Sequence, residues 1–514
     1  MQRLCKGFWA RVWNLLNMFK ETTNNNSVNA WSFGISEECG VFGIYDKTGK
    51  TDLVYETYRA LFSLQHRGQE SCGIATNVDG VLDRYVGMGL VQDVFSETTL
   101  SKLDSSAKMC TGHVRYATSG GKKSINNAQP MIVHHNKGAM ALCHNGNLTN
   151  AATLRKELEL RGSIFHGTSD TEIITHLITR FRLEQPNIES AIAETMKVIE
   201  GAYSLVVMSA TKLIAARDAR GFRPLCIGEL PRHSGFVVAS ESCALDTVGA
   251  KLIRDVAPGE IVVIDKSGLR SINVLQNTVN RSLCVFEYMY FARPDSVIEG
   301  TCVHQARVNA GKFLAAHDDV QADVVIGAPD SGIDAAQGYA KESGIPYATG
   351  IVKNKYVGRS FIQGSQRERE NTVRIKLNPI PSVIEGKRVV LVDDSIVRGT
   401  TSKELIELIR RCGAREVHFR VSSPPFRHAC YFGTDVPDSD LLVATNRSVE
   451  EIREILGCDT LQYLSEYDAL HLCGEDEGFC MGCFTGKYPI EIKDKSMPIP
   501  YTRPLSESGT CKTL

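Results

Sequence analysis

The segment from residue 389 to residue 402 constrains the fold of this chain more than any other. Four apolar residues precede two adjacent carboxylates, Asp393 and Asp394, and a helical pattern follows them. A continuous apolar run of this length is typical of a strand covered on both faces, as in a parallel sheet packed between helices. The segment therefore predicts an α/β unit in which both carboxylates lie at the carboxyl end of a buried strand.

The loop between this strand and this helix has the composition of a ligand site. Carboxylates suit a divalent cation or sugar hydroxyls, and the free N–H groups at a helix start suit a phosphate. A dinucleotide site does not fit, because no G-x-G-x-x-G follows the strand, and a P-loop does not fit, because its lysine and flanking glycines are missing. A loop that only caps its helix is the remaining alternative.

This string resembles the phosphoribosyl-pyrophosphate (PRPP) loop of phosphoribosyltransferases. In that family the two acids meet the ribose hydroxyls and Mg²⁺, and the hydroxyl-rich turn holds the 5-phosphate. The resemblance implies that PRPP is bound by Asp393, Asp394, Ser395, Arg398, Gly399, Thr400, Thr401 and Ser402.

Composition sets limits on the class of protein. A chain of 514 residues is long enough for two or three domains, and a net charge of −1 does not indicate nucleic-acid binding. No stretch approaches the 18 apolar residues of a transmembrane helix, so we expect no stable membrane association. The 16 cysteines are not spaced like a small secreted framework, which favours a reducing cytoplasm.

Residues 1–38 differ from the rest of the chain. Four basic residues precede the first acid, and apolar residues recur at helical spacing before a polar asparagine-rich linker. All three tryptophans lie here, at Trp9, Trp13 and Trp31. A basic amphipathic helix is found in mitochondrial presequences and in membrane-surface segments. A dispensable leader is the alternative, and the shortage of serine favours it.

Cys39 opens the globular part of the chain. Taken alone, a cysteine in an apolar strand is more often structural than nucleophilic. Four motifs follow it in order, at residues 64–71, 112–118, 144–148 and 168–172, and each is weak alone, since Asn-Gly is usually a turn and Ser-x-x-Glu a helix cap. The ordered set resembles the class II glutamine amidotransferases, which are N-terminal-nucleophile hydrolases with a four-layer αββα fold.

The resemblance implies a role for each matching residue. Cys39 becomes the first residue after the leader is cut, its thiolate attacks the carboxamide of glutamine, and its α-amine is the base. Asn145 and Gly146 form the oxyanion hole. Arg115 binds the α-carboxylate of glutamine, and Asp170 binds its α-ammonium. The residues expected to surround this site are His113 and Tyr116.

A second strand-turn-helix unit, residues 324–332, precedes the PRPP loop and carries Ser331, which the phosphoribosyltransferase motif places near the metal and the ribose. Ser331 could instead cap the following helix, which is a purely structural role. A helix cap and a contact with the metal and ribose are compatible with each other. The basic segment 353–376 is usually read as a solvated loop. In the family it closes over PRPP, which suggests Lys355 as a pyrophosphate contact.

Together the two units resemble the family of glutamine-dependent PRPP amidotransferases. The resemblance implies that PRPP, glutamine and water give 5-phosphoribosylamine, glutamate and pyrophosphate, with Mg²⁺ as cofactor and ammonia passing between the sites through a channel. It also implies feedback inhibition by purine nucleotides and a homotetramer. The predicted organisation is a leader at 1–38, a glutaminase domain at 39–275, a parallel-sheet phosphoribosyltransferase domain at 276–490 and a polar tail at 491–514.

Cys480 and Cys483 form a CxxC pair, which alone is compatible with a zinc half-site, a redox pair or chance. The family resemblance adds Cys284 and Cys430, and in one branch of the family these four positions hold a 4Fe–4S cluster. Four thiolates also suit zinc, so the chemistry of the residues leaves the metal open.

Two other functions compete with this reading. A hexosamine-forming amidotransferase would carry sugar-isomerase repeats in its second half, and none is seen. A non-catalytic regulatory paralogue would be expected to have lost Cys39, Arg115, Asn145 or one of the paired aspartates, and all of them are present.

Overall fold

The computed structural model describes residues 39–116, 124–354, 377–434, 436, 439–475 and 477–492. The predicted leader and Lys355 lie outside these residues, as does the predicted tail beyond residue 492. Two antiparallel sheets form the first unit, one of seven strands in the order β11-β9-β10-β1-β4-β2-β3 and one of six in the order β13-β12-β8-β7-β6-β5. Their strands are β1 (Gly40–Asp46), β2 (Ser71–Val78), β3 (Val81–Met88), β4 (Met109–Arg115), β5 (Met131–His135), β6 (Gly138–Leu148), β7 (Gly201–Ser209), β8 (Leu213–Arg217), β9 (Cys226–Glu229), β10 (Gly235–Ala239), β11 (Lys251–Asp255), β12 (Glu260–Asp265) and β13 (Gly268–Asn273).

Helices cover the outer face of each sheet. They are α1 (Leu53–Ser63), α2 (Val91–Val94), α3 (Glu97–Leu100), α4 (Ala151–Leu160), α5 (Asp170–Glu184), α6 (Ile188–Met196) and α7 (Ser242–Thr247). Strand β1 illustrates the layering, because Val41 packs between the sheets whereas Phe42 and Ile44 face α1 and α7. Helices α4, α5 and α6 cover the second sheet in the same way. The predicted αββα fold is confirmed.

A parallel four-stranded sheet, in the order β17-β20-β21-β22, forms the core of the second unit. Val390 and Val392 of β20 (Arg388–Asp393) pack toward α8 (Val303–Ala316) and α9 (Ile333–Ser343), whereas Val389 and Leu391 pack toward α11 (Thr400–Arg411) and α12 (Val449–Leu456). The predicted strand buried on both faces is therefore present, and it explains the continuous apolar run. The remaining strands are β14 (Leu283–Cys284), β15 (Val297–Ile298), β16 (Thr301–Cys302), β17 (Val324–Gly327), β18 (Ile351–Lys353), β19 (Leu377–Pro379), β20 (Arg388–Asp393), β21 (Glu416–Val421), β22 (Thr460–Tyr463) and β23 (Phe479–Cys480).

The helices of the second unit alternate with its strands, as a parallel sheet requires. They are α8 (Val303–Ala316), α9 (Ile333–Ser343), α10 (Pro381–Ile384), α11 (Thr400–Arg411), α12 (Val449–Leu456), α13 (Glu466–Leu470) and α14 (Gly482–Thr485), with one π-helical turn at Glu287–Phe291. Among the described residues, no helix combines the length and the apolar character needed to cross a bilayer.

Candidate active site

The start of β1 and the end of β4 lie side by side, because the two strands are antiparallel and Gly40 pairs with Val114. This register brings Cys39, which precedes β1, next to Arg115, which ends β4. The Cys39 side chain is buried, and its Sγ lies 3.6 Å from the carbonyl oxygen of Tyr116. Burial raises the pKa of the Cys39 thiol to about 11, although the charge of Arg115 lowers it in part. A thiol with this pKa is scarcely ionised near neutral pH, so it needs a base beside it.

Asn145 and Gly146 lie on β6 opposite Ser204 and Tyr203 of β7. The Nδ2 atom of Asn145 is buried and has no hydrogen-bond partner among the described residues. An unpaired buried donor costs about 1–3 kcal/mol, which a bound oxyanion would offset. Gly146 has a φ of +139°, and a Cβ there would come within 2.1 Å of the Ala202 carbonyl oxygen. The structure therefore requires glycine at the second predicted oxyanion position.

Arg115 and Asp170 carry opposite charges, and both act on the Cys39 thiol. The Nη1 atom of Arg115 lies 2.6 Å from Oε2 of Glu70, a residue that precedes β2. Asp170 begins α5, and its Oδ2 accepts a hydrogen bond of 3.0 Å from the backbone N–H of Leu148. The region around Cys39 therefore offers a cation and an anion, which can pair with the α-carboxylate and the α-ammonium of an amino acid.

Two side chains that hold these charges in place, Glu70 and His144, were not identified from the sequence. His144 Nδ1 lies 3.4 Å from Oδ1 of Asp170. Burial raises the pKa of Asp170, but His144 and the backbone hydrogen bonds outweigh it, so the net pKa lies below its ordinary value. The predicted neighbour His113 contacts the His144 carbonyl oxygen at 3.0 Å, and burial lowers the pKa of His113 to about 3.

Asp393 ends β20, and Ser331 from the preceding turn lies within hydrogen-bonding reach of both Asp393 and Asp394. The Ser395 hydroxyl also donates a hydrogen bond to Asp394. Burial, followed by the charge of Asp394, raises the pKa of Asp393 well above its ordinary value. Two adjacent carboxylates that repel each other, Asp394 buried and Asp393 half-buried, would be stabilised by a divalent cation, so these residues fit Mg²⁺.

Helix α11 starts directly after Gly399, which has a φ of +81° and so turns the chain from the loop into the helix. No side chain of the described residues caps the first N–H groups of this helix. Thr400 and Arg398 are exposed at this end, whereas Thr401 is half-buried and Ser402 is buried. An uncapped helix start with hydroxyls around it suits a phosphate.

Four thiols meet in one cavity, which is lined by residues of both units. Strand β14 pairs in parallel with β23 and places Cys284 opposite Cys480. The cavity is lined by Cys284, Cys430, Cys480, Cys483, Phe222, Arg223, Phe286, Phe426, Phe432, Thr434 and Tyr488. Burial raises the pKa of Cys483 well above its ordinary value, and the other three thiols add to this effect. The four predicted cysteines are thus brought together.

The described residues contain no group of three or more His, Cys, Asp or Glu side chains arranged to hold a single metal ion. The four thiols therefore share a cavity without closing on one point. The 14 cysteines in the described part of the chain form no disulfide with one another.

The chain resembles known proteins over most of its length. A family model described as a glutamine amidotransferase domain matches residues 113–247, and one described as a phosphoribosyl transferase domain matches residues 304–438. An amidophosphoribosyltransferase of Bacillus subtilis (strain 168) is 48% identical over 472 residues, covering 90% of this chain and 97% of that protein. One of Archaeoglobus fulgidus is 45% identical over 457 residues, covering 88% of this chain and 98% of that protein.

Two solved structures are similar to this chain over 90% of its length. A glutamine PRPP amidotransferase from B. subtilis, complexed with ADP and GMP, superposes with a TM-score of 0.83 at 47% identity, covering 90% of this chain and 99% of that one. A second structure, titled as the allosteric regulatory enzyme of purine biosynthesis, has the same TM-score and identity and covers 90% of this chain and 98% of that one.

Proposed function

Because this chain belongs to the amidophosphoribosyltransferase family, we propose that ammonia released at Cys39 reacts with PRPP held by the loop at Asp393 and Asp394. The enzyme converts PRPP, glutamine and water into 5-phosphoribosylamine, glutamate and pyrophosphate, in purine biosynthesis. The observation that carries the proposed residue roles is the buried Cys39 thiol, with the charges of Arg115 and Asp170 acting on it.

The glutaminase step starts from Cys39 with its leader removed. A free α-amine has a pKa of about 7.7–8.0, so it can take the proton of the thiol near neutral pH. The thiolate attacks the carboxamide carbon, and the resulting oxyanion is met by Asn145 Nδ2 and the Gly146 N–H. A donor of this kind typically contributes about 2.7–4 kcal/mol to the lowering of the barrier. The C–N bond then breaks, ammonia leaves with the returned proton, and water hydrolyses the thioester to glutamate.

The amino-acid end of glutamine is recognised by charge. Arg115 pairs with the α-carboxylate, and Glu70 holds the guanidinium in orientation through its contact of 2.6 Å. Asp170 pairs with the α-ammonium, and His144 with the Leu148 N–H keeps this carboxylate ionised and in place. The reacting carboxamide is thereby oriented toward Cys39.

The transfer step takes place at the carboxyl edge of the parallel sheet. The start of α11 and the hydroxyls of residues 400–402 hold the 5-phosphate, and Asp393 and Asp394 bind the ribose hydroxyls. With Ser331, these acids would hold Mg²⁺, which supplies positive charge to the leaving pyrophosphate. Lys355 is proposed as a further pyrophosphate contact. Ammonia adds to the ribose carbon that pyrophosphate leaves, and excess proton is lost to solvent.

Coupling of the two sites through a channel can be tested with isotopes. Glutamine labelled with ¹⁵N in its amide is supplied together with PRPP and with unlabelled ammonium. The ammonium concentration is kept below the KM for ammonium. We expect the 5-phosphoribosylamine, trapped and measured by mass, to keep the ¹⁵N label almost completely. Dilution of the label to the level of the bulk ammonium would show that ammonia equilibrates with solvent and would exclude a channel.

The four cysteines at 284, 430, 480 and 483 are proposed to hold a 4Fe–4S cluster. The support is that the four cysteines line one cavity and that the other three thiols act on the charge of Cys483. A cluster is larger than one ion and takes one thiolate per iron. Protein purified without oxygen is expected to contain iron and acid-labile sulfide in equal amounts. Zinc in their place would contradict the cluster.

Regulation and assembly are proposed by analogy with the relatives. A relative was crystallised with ADP and GMP, and this supports purine nucleotides as feedback inhibitors of this chain. A homotetramer is proposed on family membership alone. A reducing cytoplasmic location is proposed from the spacing of the 16 cysteines in the sequence.

A further inference from the structure

The largest fully buried side chains include three arginines, Arg67, Arg217 and Arg223. Burying a guanidinium is unfavourable unless every charge is paired and hydrogen-bonded. Two of these arginines, Arg67 and Arg223, reach the same carboxylate, Glu287. Glu287 is itself fully buried and lies in the π-helical turn that follows β14.

Arg67 links this carboxylate to the nucleophile. Its Nε donates a hydrogen bond of 3.0 Å to the backbone carbonyl oxygen of Cys39. Its Nη2 and Nη1 donate to the two oxygens of Glu287 at 2.8 and 3.0 Å, so the pair is bidentate. Nη1 also contacts Oε1 of Glu241 at 2.6 Å. The guanidinium is thus fixed in plane, with its Nε directed at Cys39.

The other side of Glu287 is held by Arg223. The Nη1 atom of Arg223 lies 3.4 Å from Oε1 of Glu287, and its Nε and Nη2 donate to the Phe432 carbonyl oxygen at 3.1 and 2.7 Å. Nη2 also donates to the Thr434 hydroxyl at 3.0 Å. The buried contacts therefore form a continuous chain from Phe432, in the wall of the cysteine cavity, to Cys39, the residue directly before β1.

We propose that Glu287 is a positioning residue for the glutaminase reaction and that it acts through Arg67 on Cys39. The carbonyl, the α-amine and the thiol side chain of Cys39 share one Cα, so fixing the carbonyl restricts the directions of the base and of the nucleophile. Glu287 pairs with Arg67 and Arg223, and neither arginine is among the residues assigned to glutamine. Its effect is therefore on alignment, and a misplacement of about 1 Å can cost about 10²-fold in rate.

The inference rests on the proposed role of Cys39 and is tested with Glu287→Gln. The variant keeps the shape and one acceptor oxygen but loses the charge and the bidentate pair, while Arg67 keeps its contact with Glu241. We expect the glutamine-dependent kcat to fall by about 10²-fold, with the KM for glutamine changed by less than about threefold. Ammonia-dependent turnover should stay within about twofold, because the PRPP site is not part of this chain of contacts.

Glu299→Gln is the matched control. Glu299 also pairs with a fully buried arginine, Arg217, at 2.8 Å, and with Arg281 at 3.0 Å. The Arg217 guanidinium, unlike that of Arg67, donates to the carbonyl oxygens of Val256 and Gly221. The glutamine-dependent and ammonia-dependent rates of Glu299→Gln should equal those of the parent. Glu287→Asp, which keeps the charge on a shorter side chain, should recover part of the lost kcat.

The outcomes separate the inference from the proposed function. Parental glutamine-dependent kcat in Glu287→Gln, or an equal loss of both activities, would overturn the positioning role. Retention of the leader by Glu287→Gln, seen in the intact mass, would also overturn it, since the lost glutamine use would then come from a missing α-amine and not from its alignment. If a Cys39→Ala chain used glutamine normally, the proposed function of Cys39 would fail instead.

Discussion

Replacing Cys39 with alanine is expected to abolish glutamine-dependent synthesis of 5-phosphoribosylamine while ammonia-dependent synthesis persists. Removing a catalytic nucleophile typically costs about 10⁴- to 10⁶-fold in rate. The loss should be confined to the first site, because free ammonia enters the reaction after the glutaminase step. Both rates are measured on one preparation, with glutamine or with ammonium as the nitrogen source.

Cys72→Ala is a suitable control for this variant, since Cys72 is fully buried in β2 and its thiol takes no part in the proposed chemistry. It should retain glutamine-dependent turnover. If Cys39→Ala loses both activities while Cys72→Ala keeps them, the two units do not function separately. Normal glutamine use by Cys39→Ala would remove this residue from the mechanism.

The same variant reports on the leader. All three tryptophans lie at Trp9, Trp13 and Trp31, so a mature chain that begins at Cys39 has no tryptophan. The denatured intact mass of the parent is expected to be lower by residues 1–38, and its emission should contain no tryptophan component. Cys39→Ala is expected to keep the full-length mass and the tryptophan emission.

The features that could be predicted from the sequence are those encoded by neighbouring residues. The four apolar residues of β20, the two acids at its end and the glycine before α11 all lie within a few residues of the site that they form. Burial on both faces of the strand and the helix start follow from this local pattern. The assignment of Cys39 depended on the order of distant motifs, and the register of β1 with β4 explains why Arg115 belongs with it.

The partners of the site residues could not be predicted, because they depend on packing between distant segments. Glu70 contacts Arg115 across 45 residues of sequence, and Glu287 contacts Arg67 across 220. A buried carboxylate in an apolar stretch gives no local sign of which guanidinium it will meet. Glu287 lies three residues after Cys284, yet its apolar neighbours suggest only a core helix or strand. The roles of Lys355 and of the leader stay predictions.

The double substitution Asp393→Asn with Asp394→Asn is expected to abolish PRPP turnover with either nitrogen source. The amides keep the size of the carboxylates and can still accept a hydrogen bond from Ser331. They lose the two negative charges that hold Mg²⁺ and orient the ribose hydroxyls, and removing such a positioned pair should lower kcat by at least about 10³-fold. Glutamate formation from glutamine alone should continue, which is the reverse of the pattern expected for Cys39→Ala.

Folding is not expected to suffer from this change. Burial and mutual repulsion raise the pKa of Asp393 above its ordinary value, so the ionised pair opposes folding near neutral pH when no cation is bound. Without Mg²⁺, the double variant should therefore unfold at the same temperature as the parent or at a higher one. Added Mg²⁺ should stabilise the parent and leave the variant unchanged.

Asp323→Asn, directly before β17, provides the control at the opposite edge of the same sheet. Asp323 pairs with Arg388 at 2.7 Å where β20 begins, far from the carboxyl edge that carries the loop. This variant loses one carboxylate and an exposed ion pair, which typically contributes about 0–1 kcal/mol, and should turn over PRPP like the parent. Near-normal turnover in the double variant would exclude the loop from the mechanism, whereas a loss shared with Asp323→Asn would attribute the effect to the stability of the sheet. If PRPP turnover is lost in the double variant but not in Asp323→Asn, and the double variant is as stable as the parent, the result assigns PRPP chemistry to Asp393 and Asp394.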